Sequence, residues 1–221
     1  MNSLKISLYA SLIAQFITTV ISFYGFTVNL DKGDEILRTV LKLETLVQII
    51  EGIFYGLVFY FFNQINLETL AALRYSDWIL TTPTMLLSTI VFMSYLNKKV
   101  TDLRTFIKDN WKVVKRIMYG NLLMLLSGLL GEFNIITKEM ATIVGFVFFG
   151  DVFYTIYKNF TNNNATNIGL FLFTFIAWSF YGVAYLFDDN SKNIAYNLLD
   201  VVAKNFYGLF LLYQIHLRKK L

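Results

Sequence analysis

Seven long apolar runs recur along the chain, and they constrain its fold more than any other feature. A helix of about 20 apolar residues is long enough to cross the hydrocarbon core of a bilayer. The 221 residues therefore predict an integral, multi-pass membrane protein, all-α, with a single domain over residues 1–221 that forms a seven-helix bundle. The expected spans are roughly 6–29, 43–62, 70–96, 113–132, 136–158, 167–187 and 193–215.

Aromatic side chains are abundant, and their number fits a surface that faces lipid. The chain holds 22 phenylalanines and 14 tyrosines, as expected for a lipid-facing surface with aromatic belts at both interfaces. The lipid bilayer is thus the first partner that the composition indicates. The same side chains serve lipid contact and protomer contact equally well, so a homo-oligomer stays open. Because there is no cysteine, there is no disulfide framework to consider.

Basic residues are distributed unevenly between the loops, which predicts the orientation of the bundle. With the N-terminus outside, the inner loops and tail carry 14 lysines and arginines against 3 on the outer side. Cytosolic loops are enriched in these residues, so we expect the N-terminus outside and the C-terminus in the cytosol. The basic segment 98–116 would then face anionic lipid, and we expect no nucleic-acid partner. The inner set is Lys32, Arg38, Lys42, Lys98, Lys99, Arg104, Lys108, Lys112, Lys115, Arg116, Lys158, Arg218, Lys219 and Lys220.

Lys204 lies within the seventh apolar run, where a charged side chain is costly and needs a partner. Asp200 precedes it by four residues and therefore lies on the same face of the helix. A lysine amine can also condense with an aldehyde, which is the standard way for a protein to hold a carbonyl cofactor covalently. The segment indicates either a structural ion pair or a covalent cofactor site.

The third span carries a second set of polar residues at membrane depth. Its members stand at offsets 0, 3, 7 and 14, which places them on one face of a helix. Two cations and two carboxylates would meet if this face packs against Lys204 and Asp200. Leaving one of these charges unpaired would cost about 3–5 kcal/mol, so we treat the four as a single constellation. The set on the third span is Arg74, Asp77, Thr81 and Ser88.

Three motifs, in this order along the chain, resemble those of the microbial (type 1) rhodopsins. The third span reads Arg-Tyr-x-Asp-Trp-x-x-Thr-Thr-Pro, and the seventh reads Leu-Asp-x-x-Ala-Lys. The sixth span begins its motif with Trp178 and resembles Trp-x-x-Tyr-Pro-x-x-Trp, with Gly182 in place of the proline and Tyr185 in place of the last tryptophan. The resemblance covers essentially the whole chain. The short length, Ser88 and a polar face on the second span make the chain most similar to the giant-virus rhodopsins (viral group 1, with an Asp-Thr-Ser motif).

The resemblance implies a cofactor and a role for each matching residue. Lys204 would hold all-trans retinal covalently as a protonated Schiff base. Asp77 would be the primary counterion and proton acceptor, Asp200 the second counterion, and Arg74 would lie beneath them toward the outside. Two carboxylates would stabilise the buried cation, and no metal is expected. The implied retinal pocket comprises Tyr75, Trp78, Thr81, Thr82, Met85, Trp178, Tyr181 and Tyr185.

A polar face on the second span is the feature that bears on ion transport. Glu44, Gln48, Glu51 and Tyr55 stand at offsets 0, 4, 7 and 11 and share one helix face. Carboxylates spaced in this way could line an aqueous path for cations, as acidic rings do in channels. Alternatively, Glu44 lies at the membrane surface. Asn205 could share a hydrated constriction with Glu51, and the predicted ion pathway comprises Glu44, Gln48, Glu51, Asn197 and Asn205.

Three functions are consistent with these residues, and none of them is enzymatic. Ser88 stands where outward proton pumps of the resembled family usually carry a carboxylate, and a serine can only relay a proton. The acidic face of the second span favours a light-gated cation channel, in which proton transfer to Asp77 opens passive conduction. The alternatives are a light-driven outward proton pump and, less favoured, a sensory photoreceptor.

A few polar residues outside these sets have two interpretations each. Asp188 and Asp189, before the seventh span, could form a proton-release or ion-exit group, or a solvated turn. Asp151 could join the inner pathway or face the cytosolic interface. His216, in the basic C-terminal segment, is expected to be an interfacial residue.

Overall fold

The seven predicted spans are confirmed in the computed structural model, which describes residues 3–97, 100 and 102–220. Lys98 and Lys99, which belong to the predicted inner set, lie outside the described residues. Seven helical segments are long and apolar enough to cross a membrane, and the described residues form no strand. The helices are α1 Ser3–Gly25, α2 Glu35–Tyr60, α3 Leu67–Leu96, α4 Leu103–Asp109, α5 Trp111–Glu132, α6 Lys138–Ile156, α7 Ala165–Ala184, α8 Asp189–Asp200 and α9 Phe206–His216.

The ends of the spans differ from the prediction by a few residues, and most at the start of α2. This helix begins at Glu35, eight residues before the predicted position 43. Its first two turns carry Glu35, Arg38 and Lys42, so the apolar pattern starts later than the helix does. Hydropathy therefore locates the membrane-crossing part of a helix, and polar turns extend it beyond that part.

The basic loop between the third and fourth spans contains a short helix that the apolar pattern did not predict. The side chain of Asp102 accepts a hydrogen bond from the backbone N–H of Thr105 at 2.8 Å, which caps the start of α4. Phe106 is buried and packs against Phe160 with ring centroids 5.9 Å apart. One cap and one buried ring thus hold a seven-residue amphipathic helix against the bundle.

The seventh span is interrupted at the residue of greatest interest. Helices α8 and α9 are joined by a π-helical turn over Val201–Asn205, and Lys204 lies in this turn. Single π-helical turns within α-helices are frequent at functional sites, because the extra residue changes the direction in which side chains point. Helix α3 is the most enclosed of the seven spans and faces this turn from the middle of the bundle.

Candidate functional site

The amine of Lys204 lies among three carboxylates that come from three helices. Its Nζ is 2.8 Å from Glu51 Oε1, 3.1 Å from Asp77 Oδ2 and 3.1 Å from Asp200 Oδ1. All four side chains are at most 3% exposed. The structure therefore brings the predicted constellation together and adds Glu51, which the sequence placed only in an ion pathway.

The charges around Lys204 do not balance within the site. Arg74 is the second cation, with Nη1 3.5 Å from Asp200 Oδ2. Three ionised carboxylates against two cations leave one negative charge in excess, and an uncompensated charge is costly in a low-dielectric interior. One outer oxygen each of Glu51 and Asp77 has no hydrogen-bond partner among the described residues. The site can therefore accommodate one further proton or a small cation.

Arg74 contacts the other members of a set of polar groups on one side of Lys204. We call this set the arginine region, and it comprises Tyr55, Arg74, Asn193, Asn197 and Asp200. The guanidinium donates to Asn193 Oδ1 at 3.1 Å, to Asn197 Oδ1 at 2.5 Å and to the Tyr55 hydroxyl at 3.3 Å. Tyr55 in turn donates to Asp200 Oδ2 at 2.7 Å. Asn197, predicted as part of the ion pathway, is a member of this network and lies two turns before Lys204 on the arginine side.

The groups on the other side of Lys204 form a looser set, the glutamate region, which we define as Gln15, Glu44, Gln48, Ser88 and Asn205. Glu44 is fully buried, and Ser88 Oγ donates a hydrogen bond to its carboxylate. Glu44 is therefore enclosed by the bundle, and its depth in the membrane stays a prediction. Each member except Ser88 has a side-chain oxygen or nitrogen without a hydrogen-bond partner among the described residues.

The side chain of Asn205 is hydrogen-bonded to α1, and its shared constriction with Glu51 stays a prediction. Its amide donates to Gln15 Oε1 at 3.0 Å and to Thr18 Oγ1, both on α1. Successive residues in a helix point about 100° apart, so the neighbour of Lys204 faces α1 while Lys204 faces the carboxylates. Asn205 thus lines the same polar interior from the α1 side.

Helix α1 contributes a buried polar stripe that the sequence analysis missed. Its members follow one another at intervals of three or four residues, which is the repeat of one helix face. Ser11 donates to the carbonyl of Asn197 at 2.6 Å, and Ser22 donates to Gln48 Oε1 at 3.2 Å. The periodicity alone could have revealed the stripe, which comprises Ser7, Ser11, Gln15, Thr18 and Ser22.

A cavity opens beside Lys204. It is lined mainly by residues of α3, α5, α6 and α7. Seven of the eight predicted pocket residues line it, and Thr81 is the exception. The hydroxyl of Thr81 donates to the carbonyl of Asp77 at 3.0 Å, and its side chain shares the face of Asp77 and Ser88. Trp78, Thr82 and Met85 occupy the neighbouring face of α3, which is the face that borders the cavity.

Helices α5 and α6 supply the walls of the cavity that no motif had indicated. Gly128 and Gly145 line it together with Met124 and Phe149. A side chain at Gly128 would overlap the Tyr75 ring, so glycine is required for this close approach. Gly182, which departs from the motif of the sixth span, lies against the ring of Phe146 in the same way. Glycines in apolar spans indicate close helix packing, but they do not by themselves locate these walls.

The cavity suits a long hydrocarbon bound through an amine. Aromatic and aliphatic side chains dominate the lining, and Lys204 is the only charged lining residue in the described part of the chain. The residues present therefore fit an apolar aldehyde cofactor that reacts with this amine.

The remaining predicted polar residues lie apart from this site. Asp151 pairs with Arg116, and both side chains are at least one-third exposed, so it faces outward rather than an inner pathway. Asp188 caps α8, and hydrogen bonds from Ser191 and Asn190 hold the pKa of its carboxyl below the usual value. His216 is exposed at the end of α9.

A buried ion pair near the start of α8 was not foreseen. Lys192 is 0% exposed and binds Glu132 Oε2 at 2.9 Å and Asp189 Oδ1 at 3.0 Å. Sixty residues separate Lys192 from Glu132, so no local pattern could connect them. The pair joins α8 to the end of α5, next to Tyr185 in the cavity wall.

The chain is similar to a known protein family and to solved structures. The family model described as bacteriorhodopsin-like protein matches residues 2–217. The structure of viral rhodopsin OLPVRII is similar, with a TM-score of 0.87 and 29% identity over 96% of this chain and 97% of that chain. A comparison with the curated proteins finds no match.

Two more distant structures share the fold. The blue light-absorbing proteorhodopsin from Med12 has a TM-score of 0.75 and 19% identity, over 96% of each chain. Xanthorhodopsin, a light-driven ion pump with a dual chromophore, has a TM-score of 0.72 and 18% identity, over 96% of this chain and 91% of that chain. At this level of identity the likeness concerns the arrangement of the helices.

Proposed function

Because the chain belongs to the family of bacteriorhodopsin-like proteins, we propose that it is a light-gated cation channel with retinal bound at Lys204. The predicted resemblance to the microbial (type 1) rhodopsins, and to viral ones among them, is confirmed. Members of this family bind retinal through a Schiff base, and they transport ions or act as photoreceptors rather than as enzymes.

Lys204 is the residue that would hold the cofactor. It is the buried amine that borders the apolar cavity, and Trp78 and Trp178 line the same cavity. Retinal, all-trans and on a protonated nitrogen, would supply light absorption and a change of shape on illumination. The positive charge at this nitrogen would be stabilised by Glu51, Asp77 and Asp200, which already surround Nζ.

Asp77 is better placed than Asp200 to accept a proton, and it is the acceptor that the family resemblance implies. Asp200 accepts hydrogen bonds from the hydroxyls of Tyr55 and Tyr181, each at 2.7 Å, and it also pairs with Arg74. Its oxygens are therefore already occupied by donors that favour the ionised form. Asp77 Oδ2 lies 3.1 Å from Lys204 Nζ, while its Oδ1 has no partner in the described part of the chain. We therefore assign the proton released at Nζ to Asp77 rather than to Asp200.

One observation carries the channel proposal: a polar column runs through the bundle next to Lys204. Glu44, Gln48 and Glu51 are each 0% exposed and follow one face of α2. The polar stripe of α1 faces them, and Asn205 joins it from the seventh span. Buried polar groups without protein partners are normally hydrated. A column that is acidic and readily hydrated favours cations, as acidic residues do in other channels.

A second candidate function, an outward proton pump, is favoured by the contact between Ser88 and Glu44. Ser88 has no carboxyl of its own, but its hydroxyl donates to the buried carboxylate of Glu44. A carboxyl from α2 could therefore return a proton to the inner side of the site through Ser88. This contact restores the donor that the third span alone lacks.

Patch-clamp recording of cells supplied with retinal separates these functions. A channel predicts a photocurrent that vanishes at zero driving force and reverses with the gradient of the permeant cation. A pump predicts a current of one sign under symmetric conditions, and its loss in Asp77→Asn. A sensory photoreceptor predicts neither current. Photocurrent of one sign at zero driving force would contradict the channel proposal.

A further inference from the structure

Gln48 occupies the middle of the polar column with an unusual set of contacts. It lies three residues from Glu51 and four from Glu44 on the same face of α2, which places it about 4.5 Å and about 6 Å from them along the helix axis. Its side chain is fully buried. Oε1 accepts a hydrogen bond from Ser22 at 3.2 Å, whereas Nε2 has no partner among the described residues. A buried, unpaired amide donor costs free energy that an apolar side chain of the same size would avoid.

The unpaired end of the amide lies directly on the backbone of Gly208. A Cβ placed at this position would overlap Gln48 Nε2. Gly208 follows Lys204 by four residues, one turn along the seventh span, so the amide of Gln48 lies between α2 and α9 at this turn. Ser22 adds the third wall from α1. Three helices thus meet around one side chain.

The position of the Gln48 side chain limits which ions could move along the polar column. On one side of Gln48 lies the contact of Glu51 with Lys204, and on the other lies the contact of Glu44 with Ser88. A cation that moves between the two carboxylates has to pass the amide of Gln48. The amide oxygen can bind a partly dehydrated cation, and the bulk of the side chain limits its diameter.

We propose that Gln48, seated against Gly208, is the constriction that selects cations by size in the light-activated state. This inference rests on the proposed channel function, and it assigns the selecting side chain to α2 rather than to the carboxylates around Lys204. The amide is held by one hydrogen bond and one close contact, so a small shift between α2 and α9 releases it. The carboxylates attract the cation, and Gln48 determines which cations fit.

Permeability ratios in whole-cell recordings test this assignment. Gln48→Ala removes the side chain, and we expect the permeability of dimethylammonium relative to sodium to rise several-fold. Gln48→Leu keeps the bulk and removes the amide, and we expect the photocurrent to fall several-fold. Absorbance of each variant with retinal verifies that the protein is folded, since Gln48 does not line the cofactor cavity.

Glycine substitutions supply a matched pair. Gly208→Ala adds a methyl group where Nε2 lies, and because the end of a glutamine side chain is flexible, we expect a displaced amide and a several-fold change in permeability ratio. Gly56→Ala adds the same methyl group on α2 where nothing lies within 4 Å, and we expect wild-type currents.

The outcomes separate the two proposals. A normal wild-type photocurrent with unchanged permeability ratios in Gln48→Ala and Gly208→Ala overturns the constriction alone. A wild-type protein without any gradient-dependent photocurrent overturns the channel function and the constriction with it. An effect of Gly56→Ala equal to that of Gly208→Ala also contradicts the inference, since it would show that any added methyl group perturbs the bundle.

Discussion

The arginine region and the glutamate region lie on opposite sides of Lys204, and they differ in how completely their polar groups are paired. In the arginine region, Arg74 contacts four side chains of the same network, and Asp200 accepts from two tyrosines. In the glutamate region, four of the five members keep a polar atom without a partner in the described residues. Both regions are equally buried, so burial does not explain the difference.

The difference indicates which side of the lysine changes on illumination. A network in which each donor has an acceptor resists rearrangement, because any movement leaves buried groups unpaired. A set with unpaired groups gains hydrogen bonds when water enters. We therefore expect the arginine region to stay rigid and support the site, and the glutamate region to hydrate and conduct.

The first and largest effect is expected at Lys204 itself, which joins the two regions. Lys204→Ala removes the amine that borders the cavity, so no covalent pigment can form. We expect complete loss of visible absorbance after addition of retinal. Lys220→Ala, which alters an exposed lysine paired with Asp31, is the control and should keep full absorbance. Colour that survives in Lys204→Ala would remove the basis for comparing the two regions.

The second prediction compares the regions by stability. Arg74→Gln removes one of the two buried cations next to Asp200, and removing one partner of a buried pair costs about 3–5 kcal/mol. Glu44→Gln preserves the oxygen that accepts from Ser88 and removes no cation, so we expect a much smaller loss. Thermal bleaching of the two pigments measures this difference. Equal midpoints for both variants would show that the arginine region is no more rigid than the glutamate region.

The sequence predicted only some of the residues and contacts of the two regions. The apolar runs located all seven spans, and the motifs brought Asp77, Asp200 and Lys204 together correctly. Helical offsets identify which residues share a face, and this sufficed for the acidic face of α2. They do not say how deep one helix lies relative to another. For this reason Glu51 was not predicted to contact Lys204, and the contact between Asn197 and Arg74 was not predicted either.

Contacts between distant segments were the other part that the sequence did not reveal. The pair of Lys192 and Glu132 spans sixty residues, and the walls contributed by α5 and α6 carry no motif. Small residues such as Gly128 and Gly145 are common in membrane helices for packing alone. Only the tertiary structure shows that they lie beside the cofactor cavity. The α1 stripe was within reach, because its period is visible in the serines and threonines of the first span.

The third prediction concerns proton movement in the glutamate region. If Glu44 supplies a proton through Ser88, Glu44→Gln should slow the recovery of the pigment after a flash several-fold. Recovery would then depend on protons from bulk water, and its rate should rise as the pH falls. Glu68→Gln, at an exposed carboxylate in the first turn of α3, is the control and should recover normally. Unchanged recovery in Glu44→Gln would leave the glutamate region as an ion path without a role in proton return.

The smallest effect is expected where α8 enters the arginine region. The carboxylate of Asp188 caps α8 by accepting from the N–H groups of Asn190 at 3.1 Å and Ser191 at 3.0 Å. Asp34, which precedes α2, makes no such cap bond. The hydrogen bonds lower the pKa of Asp188 below its usual value of 3.8. The folded state therefore holds this proton less tightly than the unfolded chain, so the stabilisation is present above the usual pKa and is lost as the pH falls through the lowered one.

Thermal bleaching at two pH values tests this cap. Asp188→Ala should bleach at a slightly lower temperature than the wild type at neutral pH, and the difference should disappear in acid, where the wild-type cap is protonated as well. Asp188→Asn keeps an accepting oxygen and should retain the cap at both pH values. A difference that persists unchanged in acid would mean that the carboxylate does not act through these hydrogen bonds. The hydrogen-bonded network of the arginine region would then start at Asn193 within α8, and the cap of α8 at Asp188 would not contribute to it.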